Sequence, residues 1–138
     1  MKFNRLIPEM TVQDIEKSKH FYLNLLGFKL KYERKEDRFV FLSYKDAQIM
    51  LEEKHEKGWN VAELVYPFGR GVNFSIEVDD VEALQKRLIN NGYPLYRSLM
   101  VSQYEAEGKL LEQKEFLVQD PDGYLLRFTQ EASVTVLN

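Results

Sequence analysis

The sequence predicts an α+β fold built from two tandem βαβββ repeats within a single domain of 138 residues. The same order of extended and helical segments occurs twice along the chain. The two copies also match locally, since Val12–Glu16 aligns with Val78–Glu82 and Phe39–Phe41 aligns with Phe116–Val118. Because both matches occur in the same order in the two halves, they indicate an internal duplication.

The first repeat is expected over about residues 4–53. Ile15, Ser18, Tyr22 and Leu25 recur at helical spacing, and Gly27 is a natural helix stop. Turn residues at Asp37 and Lys45-Asp46 separate the strands that follow. The five predicted elements are a strand over Leu6–Val12, a helix over Asp14–Leu26, and strands over Phe28–Glu33, Arg38–Tyr44 and Ala47–Glu53.

The second repeat is expected over about residues 71–130, after a linker over about 54–70. Asp79–Glu82 resembles a capping box at a helix start, and Asp120–Gly123 is a strong turn signal. An irregular surface loop is expected over Met100–Gln113. The predicted elements are a strand over Gly71–Val78, a helix from Asp79 to Asn91-Gly92, and strands over Pro94–Leu99, Glu115–Gln119 and Tyr124–Gln130.

Composition excludes several classes of function. With 19 Lys and Arg against 22 Asp and Glu, the net charge is -3, so nucleic acid is not an expected partner. The absence of cysteine excludes disulfides, thiolate metal sites and cysteine nucleophiles. Met1–Arg5 lacks a signal-peptide pattern, and no stretch approaches the ~20 apolar residues that span a bilayer. We therefore expect a cytoplasmic protein with no membrane partner.

Strand alternation predicts a mixed, largely polar face opposite the face that packs under each helix. Ile7, Met50 and Leu125 are apolar members of these otherwise polar faces. Such mixing favours a semi-enclosed concave surface that holds a small molecule. A simply solvated face is the alternative.

Two sequence motifs resemble those of the vicinal oxygen chelate superfamily, the glyoxalase, bleomycin-resistance and extradiol-dioxygenase group. The first is Val12–Ile15 followed by Phe21-Tyr22 and Leu26–Phe28, and the second is Phe116–Phe128 with its Asp-Pro-Asp-Gly-Tyr turn. The resemblance covers Ile7–Phe128. It implies that each repeat curls into a half-barrel sheet with its helix on the outer face, and that two half-barrels enclose a ligand cleft. It also implies a homodimer.

The resemblance places the family's metal-ligand positions at Ile7, Met50, Asn73 and Arg127. Isoleucine and arginine offer no lone pair, and methionine offers only a soft thioether. We therefore expect no metal, no other cofactor and no catalytic residue. An alignment shifted by two residues would bring in Glu9 and Glu52, so a metal-dependent lyase, isomerase or dioxygenase remains the alternative.

The same departure resembles the metal-free bleomycin resistance proteins, which sequester a cationic glycopeptide without chemistry. The implied function is binding of a cationic, partly aromatic molecule such as bleomycin in a dimer cleft; carriage of an endogenous metabolite is a further alternative. Acidic and aromatic side chains suit such a ligand, whereas Arg127 favours a carboxylate or phosphate. The expected ligand-binding residues are Glu9, Phe39, Met50, Glu52, Trp59, Phe68, Asn73, Tyr104 and Arg127.

The remaining charged residues predict no site. His20 and His55 are expected to be plain surface residues, because neither has a second histidine at helical zinc-binding spacing. The mixed-sign segment Lys29–Arg38 is expected to be exposed hairpin charge. Pro8 forfeits a ladder hydrogen bond and should mark an edge of the sheet or a crossing point, a hint of a first strand exchanged between subunits.

Overall fold

The computed structural model describes residues 2–136, with side chains as far as Ala132, and it confirms the α+β class. The chain divides into two compact units between Phe68 and Gly69. Each unit contains one four-stranded sheet and follows the βαβββ order that the duplication predicts.

The strands of the first unit form a sheet in the order β1-β4-β3-β2. β1 is parallel to β4, and the other pairs are antiparallel. The elements are β1 (Glu9–Val12), α1 (Ile15–Lys19), a π-helical segment (His20–Leu25), β2 (Lys29–Arg34), β3 (Phe39–Tyr44) and β4 (Ala47–Glu53).

The predicted first helix is present, but its second half is π-helical. α1 begins after Asp14, whose carboxylate accepts hydrogen bonds from the N–H groups of Glu16 and Lys17. The residues predicted at helical spacing are buried, as expected of the face that packs on the sheet. Gly27, the predicted stop, has a φ of 85°.

β1 begins at Glu9 and not at Leu6, which corrects the predicted strand over Leu6–Val12. Leu6 is 82% exposed, so no buried face extends the strand to it. Pro8 has no N–H to donate, although its carbonyl accepts a hydrogen bond of 2.9 Å from the Met50 N–H. β1 lies at the edge of its sheet, which confirms the position expected from Pro8.

The second unit forms a sheet in the order β5-β8-β7-β6, with β5 parallel to β8. Its helix is capped by Asp80, not by Asp79 as the capping-box pattern suggested, because the Asp80 carboxylate accepts from the Ala83 N–H at 3.0 Å. The elements are β5 (Asn73–Glu77), α2 (Val81–Asn90), β6 (Arg97–Ala106), β7 (Lys109–Gln119) and β8 (Leu125–Val136).

The predicted loop over Met100–Gln113 is wrong, because these residues belong to a long hairpin of β6 and β7. Glu107 and Gly108 connect the strands with φ values of 51° and 73°. Two positive φ values in a two-residue connection are the mark of the turn whose twist matches paired strands. Few of these residues are buried, so the sequence lacks the alternation of apolar and polar side chains that predicts a strand.

The turn predicted at Asp120–Gly123 is confirmed. The buried Asp120 carboxylate accepts hydrogen bonds of 2.9 Å from the N–H groups of both Asp122 and Tyr124. These bonds fix the chain direction as it enters β8.

Within residues 2–136, no helix is long and apolar enough to cross a membrane.

Candidate functional site

The first sheet has an open face, turned away from α1, that gathers acidic and aromatic side chains. Cα partners on neighbouring strands point to the same side of a sheet, so the register defines this face in rows. One row follows Glu9, Met50, Phe41 and Tyr32 across the four strands, and the next follows Thr11, Glu52, Phe39 and Arg34. Four of the nine predicted ligand-binding residues lie on this face: Glu9, Phe39, Met50 and Glu52.

Two carboxylates lie at one side of the open face. Glu9 of β1 lies opposite Met50 of β4, and Thr11 of β1 lies opposite Glu52 of β4. The two acids are therefore diagonal neighbours on adjacent strands. Partial desolvation raises the pKa of Glu9, the negative charge of Glu52 raises it further, and the positive charge of Arg34 opposes both effects. The two acids therefore form an electrostatically coupled pair that favours a positive charge nearby.

Glu52 also has a partner that the sequence did not suggest. The Nε2 atom of His55 lies 2.9 Å from Glu52 Oε1. His55 is exposed, as expected, but it is not an isolated surface residue. A cationic ligand that approaches Glu52 therefore competes with this imidazole for the carboxylate.

An aromatic cluster fills the other side of the open face. The Tyr32 and Phe41 rings stack with centroids 5.8 Å apart and 15° between their planes, and Tyr32 also contacts Phe39. Phe3 packs edge-on against Phe41 at 5.2 Å. Phe39 is only 2% exposed, because the Arg34 guanidinium lies 3.9 Å from the centroid of its ring. The ring that was expected to wall a pocket is thus covered by a cation of the protein itself.

The segment after β4 holds the two remaining aromatic candidates of the first unit in different environments. Trp59 is 94% exposed, whereas Phe68 is 5% exposed. Next to Trp59, the Asn60 side chain accepts a hydrogen bond of 3.0 Å from the Thr11 hydroxyl of the open face. This bond ties the backbone that bears Trp59 to β1.

The candidates of the second unit are Asn73, Tyr104 and Arg127. Asn73 is exposed and pairs in register with Leu125. Tyr104 lies on β6 and donates a hydrogen bond to the Glu131 carboxylate, which raises the pKa of the Tyr104 hydroxyl.

Arg127 lies in the same register row as Ser75 and Leu117. Its Nη1 atom is 4.0 Å from Glu115 Oε2, and its side chain is 41% exposed. Among the described side chains, neither Arg127 Nε nor Glu115 Oε2 has a hydrogen-bond partner. Glu115, which the sequence did not single out, therefore offsets part of the Arg127 charge.

The donor chemistry of the described residues does not match a divalent metal site. Within residues 2–136, no grouping of three or more His, Cys, Asp or Glu side chains could hold a metal ion. On the open face, the position that the resemblance assigned to a ligand is occupied by Met50, whose thioether is a poor donor for a hard cation.

Among the residues of the open face that sequence reasoning missed, Tyr32 and Arg34 lie on β2. If side chains alternated without a break along β2, Tyr32 and Arg34 would point to the same side of the sheet as Leu30, the side covered by α1. The register of β2 with β3 shifts between Leu30 and Tyr32, so an extra residue at Lys31 turns them to the opposite face. Arg34 is exposed, as expected for hairpin charge, but its guanidinium also stacks on the Phe39 ring.

Comparison with known proteins identifies the family. Residues 3–128 match the family described as Glyoxalase/Bleomycin resistance protein/Dioxygenase superfamily. The bleomycin resistance proteins of Geobacillus stearothermophilus and Staphylococcus aureus are each 29% identical over 133 residues, which cover 91% of this chain and 95% of theirs. A glyoxalase/bleomycin resistance protein/dioxygenase from Alicyclobacillus acidocaldarius, 24% identical, has the same fold with a TM-score of 0.63 over 92% of this chain and 90% of that chain. The chain belongs to the glyoxalase/bleomycin resistance protein/dioxygenase superfamily.

Proposed function

We propose that this protein binds a cationic, partly aromatic small molecule without a metal ion, and that a glycopeptide of the bleomycin type is such a ligand. One observation carries the proposal. The open face of the first sheet places the Glu9 and Glu52 carboxylates beside an aromatic cluster on which a guanidinium already stacks, 3.9 Å from the Phe39 centroid. Carboxylates and aromatic faces both attract planar cations.

The comparisons support the same class of ligand. The similar proteins from Geobacillus stearothermophilus and Staphylococcus aureus are named bleomycin resistance proteins. Metal-independent binding is supported by the side chains at the four positions that the resemblance assigned to metal ligands, of which Ile7, Met50 and Arg127 are unsuited to a divalent cation. We further propose a cytoplasmic homodimer, in which Asn73, Tyr104 and Arg127 complete the ligand-binding set.

The decisive experiment is a calorimetric titration of metal-analysed protein with bleomycin, both metal-free and copper-loaded. We expect micromolar or tighter binding near one ligand per cleft, in protein that contains no divalent metal. No heat together with a stoichiometric divalent metal would contradict the proposal and make Glu9 and Glu52 ligands of an enzyme. No heat and no metal would instead point to an endogenous metabolite.

Two variants sharpen the titration. Trp59→Ala should leave the thermal midpoint unchanged, because a 94% exposed side chain contributes little to the core. It should weaken binding by more than ~1 kcal/mol if the indole stacks on the ligand. Ile89→Ala is the control, because it truncates an exposed apolar side chain of α2, outside the segment that bears Trp59. Equal losses in both variants would contradict an aromatic contact.

Glu52→Gln tests the acidic side of the open face. It should weaken binding of a cationic ligand by up to about 1 kcal/mol, because solvent screens a partly exposed carboxylate. Glu56→Gln, in the exposed segment that follows β4, is the control for the loss of one negative charge. Phe39→Ala is less informative, because emptying the space of a buried ring costs about 3–5 kcal/mol of stability.

A further inference from the structure

Arg34 makes three contacts that together describe a recognition site for a planar cation. Its guanidinium carbon lies 3.9 Å from the centroid of the Phe39 ring. Its Nη1 atom donates a hydrogen bond of 3.0 Å to the Tyr32 hydroxyl, and its Nε atom donates one of 3.2 Å to the Asp37 carboxylate. The Phe39 ring thus contacts the flat face of the guanidinium, and the Tyr32 hydroxyl accepts a hydrogen bond from its edge. The Asp37 carboxylate pairs with its positive charge.

These contacts hold Arg34 weakly enough to be exchanged. The ion pair with Asp37 is exposed, with 46% of the Arg34 side chain and 61% of the Asp37 side chain accessible to water. Exposed ion pairs contribute little to stability, and cation–π contacts at exposed sites are also modest. Rotation of the Arg34 side chain into solvent would uncover Phe39 at a small cost.

The space for another molecule on Phe39 is the place that the Arg34 guanidinium leaves. The cavity of about 570 Å³ at this end of the sheet is lined mainly by Asp14, Ile15, Glu16, Lys19, Glu33 and Glu53. Glu33 and Glu53 bond to Lys19 and to the Ile15 N–H, so this cavity lies on the α1 side of the sheet and is not part of the open face. The positive charge of Arg34 lowers the pKa of Glu9, against the larger opposing effects of partial desolvation and of Glu52.

We propose that Arg34 is a specificity-determining residue that occupies, in the free protein, the place of the ligand's own planar cation on Phe39. The inference rests on the proposed function and adds the chemical class of the group that this site selects. That group is a flat, delocalised cation with N–H donors at its edge, of the guanidinium or amidinium class. It displaces Arg34, takes over the contacts with Phe39 and Tyr32, and leaves Arg34 in solvent.

The test uses benzamidinium and its neutral, nearly isosteric analogue benzamide as probes in nuclear magnetic resonance titrations. Arg34→Ala removes the internal competitor. We expect it to bind benzamidinium about two- to fivefold more tightly than the wild type, the size of an exposed cation–π contact. Benzamide should bind both proteins equally, because it lacks the charge that replaces the guanidinium.

Lys29→Ala is the matched control, because it removes one positive charge from the open-face side of the same strand without uncovering Phe39. It should bind benzamidinium as the wild type does. A second readout needs no variant: in the wild type, saturating benzamidinium should accelerate solvent exchange of the Arg34 Nε proton as its bond to Asp37 is lost.

Several results would overturn the inference. These are equal or weaker benzamidinium binding by Arg34→Ala, an equal gain in Lys29→Ala, no benzamidinium binding by either protein, or an unchanged Arg34 Nε proton. The bleomycin titration of the wild type decides the proposed function separately. Bleomycin binding without the Arg34→Ala gain would refute only the role of Arg34, and the gain without bleomycin binding would refute only that ligand.

Discussion

Glu9 shows how a single side chain of the open face can lower the stability of the fold. Its pKa is raised, chiefly by partial desolvation and then by the charge of Glu52. A raised pKa means that the folded protein holds the Glu9 proton more tightly than the unfolded chain does. The free energy of unfolding therefore falls as the pH rises through the raised pKa, because folding disfavours the charged carboxylate.

We expect Glu9→Gln to raise the thermal midpoint at pH 7, because the amide carries no charge to desolvate. The gain should be less than about 1 kcal/mol, since solvent screens a partly exposed carboxylate. Melting curves should show the difference from the wild type shrinking as the pH falls through the raised pKa, and vanishing below the pKa of an ordinary glutamate. A difference that persists at low pH would show that the carboxylate charge is not its cause, and Glu56→Gln should show no such trend.

At the scale of secondary-structure elements, sequence periodicity predicts the elements with a buried face and misses the others. The helices were found because each has apolar residues that recur at helical spacing and are buried. These include Ile15, Tyr22 and Leu25 in the first helix and Val81, Leu84 and Leu88 in the second. The β6–β7 hairpin was missed because few of its side chains are buried. The open face was predicted only in part. Alternation in β1 and β4 located Glu9, Met50 and Glu52, but in β2 the register shift at Lys31 reverses the alternation and hides Tyr32 and Arg34.

The turn before β5 supplies a prediction at this scale. Gly69 and Gly71 both have positive φ values, 71° and 89°, so alanine at either position strains the backbone. A Cβ atom added at Gly69 would lie 2.4 Å from Cδ1 of Tyr124, whereas one at Gly71 would meet nothing within 4 Å. The two positions therefore separate backbone strain from steric overlap.

We expect Gly71→Ala to cost about 1 kcal/mol of unfolding free energy, from backbone strain alone. Gly69→Ala should cost a further 1–3 kcal/mol or so, because the Tyr124 ring must move. Urea denaturation of both variants measures the two values. Equal costs would show that Tyr124 yields freely to the added methyl group.

For the whole molecule, we propose that the homodimer proposed above uses the apolar side chains that follow Trp59. Val61, Val65 and Tyr66 lie close together in sequence, and each is more than half exposed. Exposed large apolar side chains mark interaction sites where they join into one patch.

Sedimentation equilibrium at micromolar concentration should therefore give twice the chain mass of 16.4 kDa. Val61→Asp should shift the distribution towards the monomer, because it introduces a charge into the apolar segment. Lys57→Asp is the comparison, since it changes an exposed charge outside that segment. A monomer in the wild type at this concentration would contradict the prediction.

The extra residue at Lys31 has a consequence for how this site can arise and disappear. Because Lys31 is the extra residue, its loss would leave Leu30 opposite Leu42 and Tyr32 opposite Phe41, so Tyr32 and Arg34 would keep their places on the open face. Loss of Glu33 would instead break the pairing of Arg34 with Phe39 and turn the guanidinium to the other face, while Glu9 and Glu52 stayed in place. A change in the length of one strand thus alters the site at one position and leaves it intact two residues away.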